Sequence, residues 1–523
     1  MSSVRGAAAI GSGLSPARDA RRIRPGERIH VVGAGGAGAS AAALLALGCG
    51  AAVSGCDSGG PSQYTPPLEA ATIRLDWSHD PSHLTRGPAP ERLAVTKALT
   101  AVDPDNPELA AARALSITLE PWQQVIADAA VGRLLIGVAG THGKSTTAGW
   151  LVHVLVRAGL DPSAFVGALL AGSITGGLPS TARTGLGMPF VVEADEYAGN
   201  FDAYRPSVAV LTSAEWDHPD VFADREAVVA AFAGWLRKAR SVPGEPILVA
   251  NVADPGVAAV LDLLRDWPGV VYAVSLVADD RALLDAVRRE ALSARFRTAG
   301  GPARVLLGRI ADSGPDGTLL EFAGVGTDDE VLATRVRLAG RHNAANALGV
   351  AGAAIALSVR PDQLVAGLGS FMGVGRRLER KGEARGVVVY DDYGHHPTAI
   401  RETLAALRQL EPGRRIWAVY EPLTYHRTAA MLHQFAEVLA TADAVAVADI
   451  WASRDPDTSI TSAAVLAEAT ARLRPGLTAV APGSVERTAA WLAKEVRSGD
   501  AVLVMGGGRS YRIAELLLAT LAG

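Results

Sequence analysis

The chain has 523 residues, 49% of them hydrophobic, enough for about three domains of ordinary size with cores of their own. A net charge of -4 with 20% charged residues argues against disorder and against a polyanion partner, and no basic stripe for nucleic acid is present outside the extreme N-terminus. No uncharged apolar run reaches the ~18 residues of a membrane helix, and two cysteines, Cys49 and Cys56, without CxxC or metal-ligand spacing, fit a reducing, cytoplasmic compartment.

Residues 1–27 are rich in Arg, Gly and Ser, lack the apolar core of a secretory signal, and read as a disordered leader. From residue 28 onward, apolar runs bounded by turn residues alternate with amphipathic patterns. This is the signature of βαβ units and mostly parallel sheets. The first unit, 28–129, opens with a strand entering the turn "GAGGAG". Gly33, Gly35, Gly36 and Gly38 then precede a helix, and Asp57 ends the next strand. Glycines there let backbone approach a pyrophosphate, and an acid about 20 residues later can contact a ribose hydroxyl. NAD, FAD and a UDP-sugar all suit that pattern, as does a tight turn that binds nothing.

The second unit, 130–373, begins with strand "RLLIGVAG" and runs through Gly140, Thr141, His142 and Gly143 to Lys144, Ser145 and Thr146 at a helix start. Backbone N–H groups of such a loop cradle ATP phosphates, the lysine offsets their charge, and the serine hydroxyl reaches Mg²⁺. The loop lacks the early glycine of ordinary P-loops. An apolar strand then ends in "EADE", with Glu193 placed for a hard Mg²⁺ ion. Another ends in "EWDHPD", where His218 reads as a metal ligand or as a surface histidine. In "GRHNAANA", Asn343 and Asn346 share a helix face and can read a base edge or cap the helix.

The third unit, 374–523, opens after "GVGRRLE" with a strand that ends "YDDYGHHPT". It gathers Arg377, Asp392, Tyr393, His395 and His396 at a strand end, where open α/β sheets place their sites.

Taken in order, "GTHGKST", "EADE", "DH", "GRHNAAN", "GVGRRLE" and "DDYGHHPT" resemble the Mur ligase family, the ATP-dependent amide ligases of peptidoglycan precursor synthesis, from about residue 29 to the C-terminus. The resemblance implies three α/β domains: a Rossmann-like domain for a UDP-sugar, a central ATPase domain, and a Rossmann-like domain that closes over ATP. It implies ATP and Mg²⁺ as cofactors, with Lys144 on the β/γ-phosphates, Ser145 and Glu193 on Mg²⁺, and His218 at a second metal. Asn343 and Asn346 would face adenine, and Arg377 and Asp392 would join ATP on closure. Within the family the motifs are most similar to the branch that adds L-alanine to UDP-N-acetylmuramate, with Tyr393, His395, His396 and Arg427 on the amino-acid side. The branch that attaches a whole tripeptide is the alternative. An idle homologue that only binds the nucleotides is another, against which the intact Lys144, Glu193, His218 and Asp392 speak. A monomer and a homodimer stay open. Leu423 stands where the family has a histidine near the substrates, and "MGGGRSYRI" (505–513) replaces a Gly-Ala-Gly-Asp pattern. Thr96 and Lys97 stand where the first domain has a serine pair. The first two departures bear on which amine is used, the third on the UDP-sugar end.

Overall fold

A computed structural model describes residues 10–240, 244–327, 330–452, 455 and 457–523. Three sheets follow one another along the chain. The first holds β1 (Arg28–Val32), β2 (Ala52–Cys56), β3 (Arg74–Asp76), β4 (Arg92–Val95) and β5 (Thr118–Pro121) in the order β3-β2-β1-β4-β5, all parallel. The second holds ten strands: β6 (Leu134–Ala139), β7 (Ser163–Leu170), β8 (Ser180–Arg183), β9 (Pro189–Ala194), β10 (Val208–Leu211), β11 (Ile247–Asn251), β12 (Val270–Leu276), β13 (Arg304–Gly314), β14 (Gly317–Gly324) and β15 (Leu332–Val336). Its order is β15-β14-β13-β12-β11-β10-β6-β9-β7-β8. The third holds β16 (Glu379–Ala384), β17 (Val387–Asp392), β18 (Arg415–Glu421), β19 (Ala444–Ala448), β20 (Thr478–Gly483) and β21 (Asp500–Gly506), ordered β16-β17-β21-β18-β19-β20.

The expected α/β class with mostly parallel sheets holds. The parallel strands are continuous apolar runs because helices cover both faces: β10 is buried at all four positions and β21 at all seven. Residues 290–335 are rich in Gly, Asp and β-branched residues, with no apolar run long enough to read as a buried strand. The chain there forms an antiparallel meander, β13–β14–β15, on the edge of the middle sheet. Gly38 lets the helix Ala37–Gly48 approach the helix Trp122–Ala129. A Cβ there would lie 2.2 Å from the Trp122 ring.

The expected disordered leader differs where it is described. Residues 1–9 lie outside the described residues, but the segment after them is tied down. Arg18 bonds Asp128 at 2.7 Å and Glu120 at 3.0 Å, and Arg21 reaches Glu27 at 2.6 Å. At the centre sits Arg92, whose side chain is 2% exposed and which pairs with Glu27, Glu120 and Asp128. Arginines that read as a solvated leader are thus partners of buried carboxylates. Cys56 has no metal-ligand spacing in the sequence, but folding sets its thiol beside His30, His83 and Glu108, which are distant along the chain.

Candidate active site

The loop after β6 enters the helix Lys144–Arg157 through Gly143, which is left-handed at φ +81°. A Cβ at Gly143 would fall 2.5 Å from Asn346 Oδ1. Both conditions demand glycine, and the turn points backbone N–H groups at the helix N-terminus, a ready anion site. The loop is fixed from the end of β10: His142 N–H donates to Ser213 Oγ at 2.9 Å, and Thr141 Oγ1 donates to the Glu215 carbonyl at 2.8 Å. Gly143→Ala is expected to strain this turn by about 1–3 kcal/mol and to raise the KM for ATP roughly tenfold or more. Steady-state kinetics at varied ATP checks it; an unchanged KM would remove the loop from the site.

Lys144 Nζ lies 2.9 Å from Glu196 Oε2 and 3.5 Å from Asp195 Oδ1. Burial works against its charge, but the two carboxylates outweigh burial and hold the ammonium above its ordinary range. Ser145 Oγ donates to Glu193 Oε1 at 2.9 Å and accepts from Arg377 Nη2 at 3.1 Å. Glu193 Oε2 accepts the Gly167 N–H at 2.6 Å. A hydroxyl and a carboxylate side by side next to a cradle of N–H groups are the hard oxygen donors that Mg²⁺ prefers, so these residues fit that ion.

His218 groups with Asp195 and Glu196, not with Glu193: one ligand atom from each of the three lies within 4.8 Å of the others. His218 has φ +57°, a conformation rare outside glycine, and its ring lies 4.6 Å from that of Tyr197. Arg427, from the third unit, donates to Asp217 Oδ1 at 2.6 Å and lies 3.1 Å from His218 Nδ1. Burial disfavours the Asp217 charge, yet His218 and Arg427 hold it well below the usual carboxylate range. A second group joins His142, Glu215 and His396. Glu215 accepts from Thr398 Oγ1 and meets His142 Nε2, both at 2.8 Å. Burial opposes the Glu215 charge, but the His142 hydrogen bond and His396 bring its pKa down to about 2. Burial and His142 push His396 down to about 4.

Asp392 ends β17 and spends both oxygens on the backbone, accepting from Leu378 N–H at 2.7 Å and Gly394 N–H at 2.6 Å. It therefore shapes the turn that carries Arg377, whose guanidinium lies 5.3 Å from the Tyr393 ring centre. Neighbouring Arg376 is buried on Asp391, the Gly506 carbonyl and Ser510. Burial keeps His395 well below its usual pKa, hence neutral; its Nδ1 is 2.9 Å from the Tyr393 carbonyl. Leu423 packs on Gly507: a Cβ there would lie 3.0 Å from Leu423 Cδ2 and 3.6 Å from both His395 Nδ1 and the Tyr393 hydroxyl. The first two departures from the family pattern, Leu423 and the 505–513 segment, thus meet in one place. A cleft of about 560 Å³ opens nearby between the second and third units, lined by Glu215, Asp254, His396, Thr398, Arg401 and Gln434. Trp451, in the segment "DIWASRD" (449–455), pairs with Leu423 by a parallel bridge; Ser453 and Arg454 lie outside the described residues.

Asn343 and Asn346 are buried on the helix Arg341–Ala356. Asn343 Nδ2 donates to the Ala339 carbonyl at 2.7 Å, and Asn346 Nδ2 to Asn343 Oδ1 at 3.3 Å. Asn346 Oδ1 also lies against Gly143, so it backs the 140–143 loop. The glycine turn of the first unit stands apart from these groups. Gly33 N–H donates to the Cys56 carbonyl at 2.8 Å, Gly36 precedes the helix, and Asp57 accepts from Gly35 N–H at 2.9 Å and Gly59 N–H at 2.7 Å. Asp57 thus braces its own loop. Links from this unit to the second include Lys97 Nζ on the Ala198 carbonyl (2.8 Å) and Gln123 on Asn200 (2.7 Å). Asp195 and Glu196, which stand with Glu193 at the acidic strand end, join the site, and so do Glu215, Asp217 and Thr398, which the motifs did not single out. The signal was the whole acidic strand end, "EADE" and "EWDH", not one carboxylate in it.

Three family models cover most of the chain: the Mur ligase family catalytic domain over 28–133, the Mur ligase middle domain over 138–354, and the Mur ligase glutamate ligase domain over 376–508. A UDP-N-acetylmuramate–L-alanine ligase of Kineococcus radiotolerans is 38% identical over 501 residues, covering 95% of this chain and 96% of that one. Among solved structures, a UDP-N-acetylmuramate–alanine ligase from Thermotoga maritima shares the fold with a TM-score of 0.71 at 22% identity, over 94% of this chain and 98% of that one. A murein peptide ligase from Psychrobacter arcticus does so at 0.68 and 23% identity, over 95% and 99%. With its motifs in order, its three α/β units and these matches along nearly its whole length, the chain belongs to the Mur ligase family.

Proposed function

We propose that this chain joins L-alanine to the lactyl carboxylate of UDP-N-acetylmuramate at the expense of ATP, in the cytoplasm, as a step in building peptidoglycan precursors. The observation that carries the substrate assignment is the 38% identity, over 95% of the chain, to an enzyme named for that reaction. A carboxylate is a poor acyl donor, and transfer of the γ-phosphoryl group to one of its oxygens gives an acyl phosphate and ADP. The alanine nitrogen then adds to the acyl carbon, and phosphate leaves as the amide forms and the nitrogen gives up its proton. Positioning and charge stabilisation supply most of the catalysis in such transfers.

In this reading the backbone of Gly140, Thr141, His142 and Gly143, with Thr146 behind them, holds the phosphates, and Lys144 offsets their charge. Ser145 and Glu193 hold Mg²⁺, with His218, Asp195 and Glu196 as a second site; when bound, the ion spreads charge from the phosphate oxygens. Arg377 arrives from the third unit and Asp392 fixes its turn. Asn343 and Asn346 support the adenine side. Gly33, Gly35, Gly36 and Gly38, braced by Asp57, hold the UDP-sugar. Tyr393, His395, His396 and Arg427 flank the amine, with Leu423 shaping that end.

The test supplies UDP-N-acetylmuramate, Mg-ATP and a panel of amino acids and short peptides, and follows phosphate release. Alanine-dependent release is expected. Release with a tripeptide alone would replace this reading with the tripeptide-attaching one, which Leu423 motivates; none with any acceptor would favour an idle homologue.

A further inference from the structure

The first unit holds a buried cluster that ligation does not use. His30 on β1, Cys56 at the end of β2, His83 in the short turn Pro81–Leu84 and Glu108 in the helix Pro107–Ala114 each offer one ligand atom, all within 4.8 Å of one another. All four residues are buried. Glu108 Oε1 lies 2.9 Å from His30 Nε2 and 3.1 Å from His83 Nδ1, and Glu108 Oε2 lies 3.1 Å from Cys56 Sγ. His79 stands alongside, 3.3 Å from Cys56 Sγ, and its H-x3-H spacing to His83 is common in zinc sites.

A hydrogen-bonded core is the plain alternative, and it leaves a remainder. His30 Nε2 is buried 2.9 Å from Glu108 Oε1, yet off the line that a hydrogen bond needs, so the pair is an ion contact without a well-aligned hydrogen bond. On the other side of the ring, His30 Nδ1 meets Ser54 Oγ at 2.8 Å. In the tautomer whose Nδ1–H donates to that hydroxyl, the Nε2 lone pair is aimed into the cluster, the arrangement that orients a metal-bound histidine. Charge points the same way. One thiolate, one carboxylate and two neutral imidazoles balance a divalent cation, so a buried complex would be neutral. A soft sulfur and two imidazoles select zinc and its neighbours over Mg²⁺ or Ca²⁺. Metal–ligand bonds of about 2.0–2.3 Å place tetrahedral ligand atoms about 3.3–3.8 Å apart, a small adjustment from the distances here.

We propose that His30, Cys56, His83 and Glu108 form a structural zinc-class metal site, with His79 beside it. Binding would take the proton from Cys56 Sγ to solvent and form the sulfur–metal bond. It would join β1, β2, the 81–84 turn and the helix Pro107–Ala114. The Cys56 carbonyl also accepts the Gly33 and Ala34 N–H groups, so the metal would stiffen the glycine turn from behind.

The test uses the full chain, stripped by a chelator and titrated with Co²⁺ and Zn²⁺. One equivalent of Co²⁺ is expected to give a thiolate-to-metal charge-transfer band, kept in Cys49→Ser and lost in Cys56→Ser. Zn²⁺ should raise the thermal midpoint of the parent chain, and His83→Gln should weaken Zn²⁺ binding at least about tenfold. The parent spectrum decides even if a variant fails to fold. Co²⁺ bound without a thiolate band, a band that disappears in Cys49→Ser, or a midpoint indifferent to Zn²⁺ would overturn the site. Such binding at the acidic groups around Lys144 would show no sulfur signature.

Discussion

Lys144→Ala is expected to lower kcat by roughly 10²–10³-fold or more, the usual cost of removing one group that stabilises developing charge. The lysine is placed for this at the helix N-terminus, held by Glu196 and Asp195. The substitution has a second effect that must be separated from the first. It leaves Glu196, which is 2% exposed, without its cation. A buried carboxylate in that position takes up a proton or destabilises the fold. The double variant Lys144→Ala/Glu196→Gln removes the orphaned charge. It should regain the thermal midpoint lost by the single variant and remain inactive. Phosphate-release kinetics with thermal denaturation checks both arms. Activity within about tenfold of the parent in either variant would take Lys144 out of the ATP site.

Arg92→Leu is expected to cost about 3–5 kcal/mol of stability, the range seen when one partner of a buried ion pair is removed. Arg92 is the cation that Glu27, Glu120 and Asp128 share, and all three carboxylates are at most 2% exposed. Arg18 and Arg21 remain on the same carboxylates, but their side chains are 34% and 44% exposed, and solvent weakens what they contribute. Chemical denaturation measures the loss directly. A change under about 1 kcal/mol would mean that the outer arginines suffice. Glu27 adds a pH signature. Burial opposes its charge, but Arg21, the Arg24 N–H and Arg92 bring its folded pKa to about 2 from an ordinary value of 4.5. A depressed carboxylate pKa contributes stability above the unfolded value and loses it as pH falls through the folded one, so this part fades between about pH 4.5 and 2.

The sequence by itself determined the class of the fold, the order of the three units and the family. These rest on local properties: continuous apolar strands, glycine turns, and motifs whose residues are neighbours in the chain. "GTHGKST" could be read because strand, loop, lysine and helix are consecutive. It could not reveal that Gly143 is pressed against Asn346, some two hundred residues later. Nor could it say which carboxylate meets which partner. Glu193 takes Ser145, Glu196 takes Lys144, and Glu215 takes His142 and Thr398, choices set by how the ends of β6, β9 and β10 converge. The leader arginines looked solvated because their partners lie about a hundred residues away along the chain. Cys56 looked isolated for the same reason, since parallel strands bring together residues that sequence spacing keeps apart. Charge pairing and metal ligation depend on distances of a few ångströms between side chains, and only tertiary packing sets those.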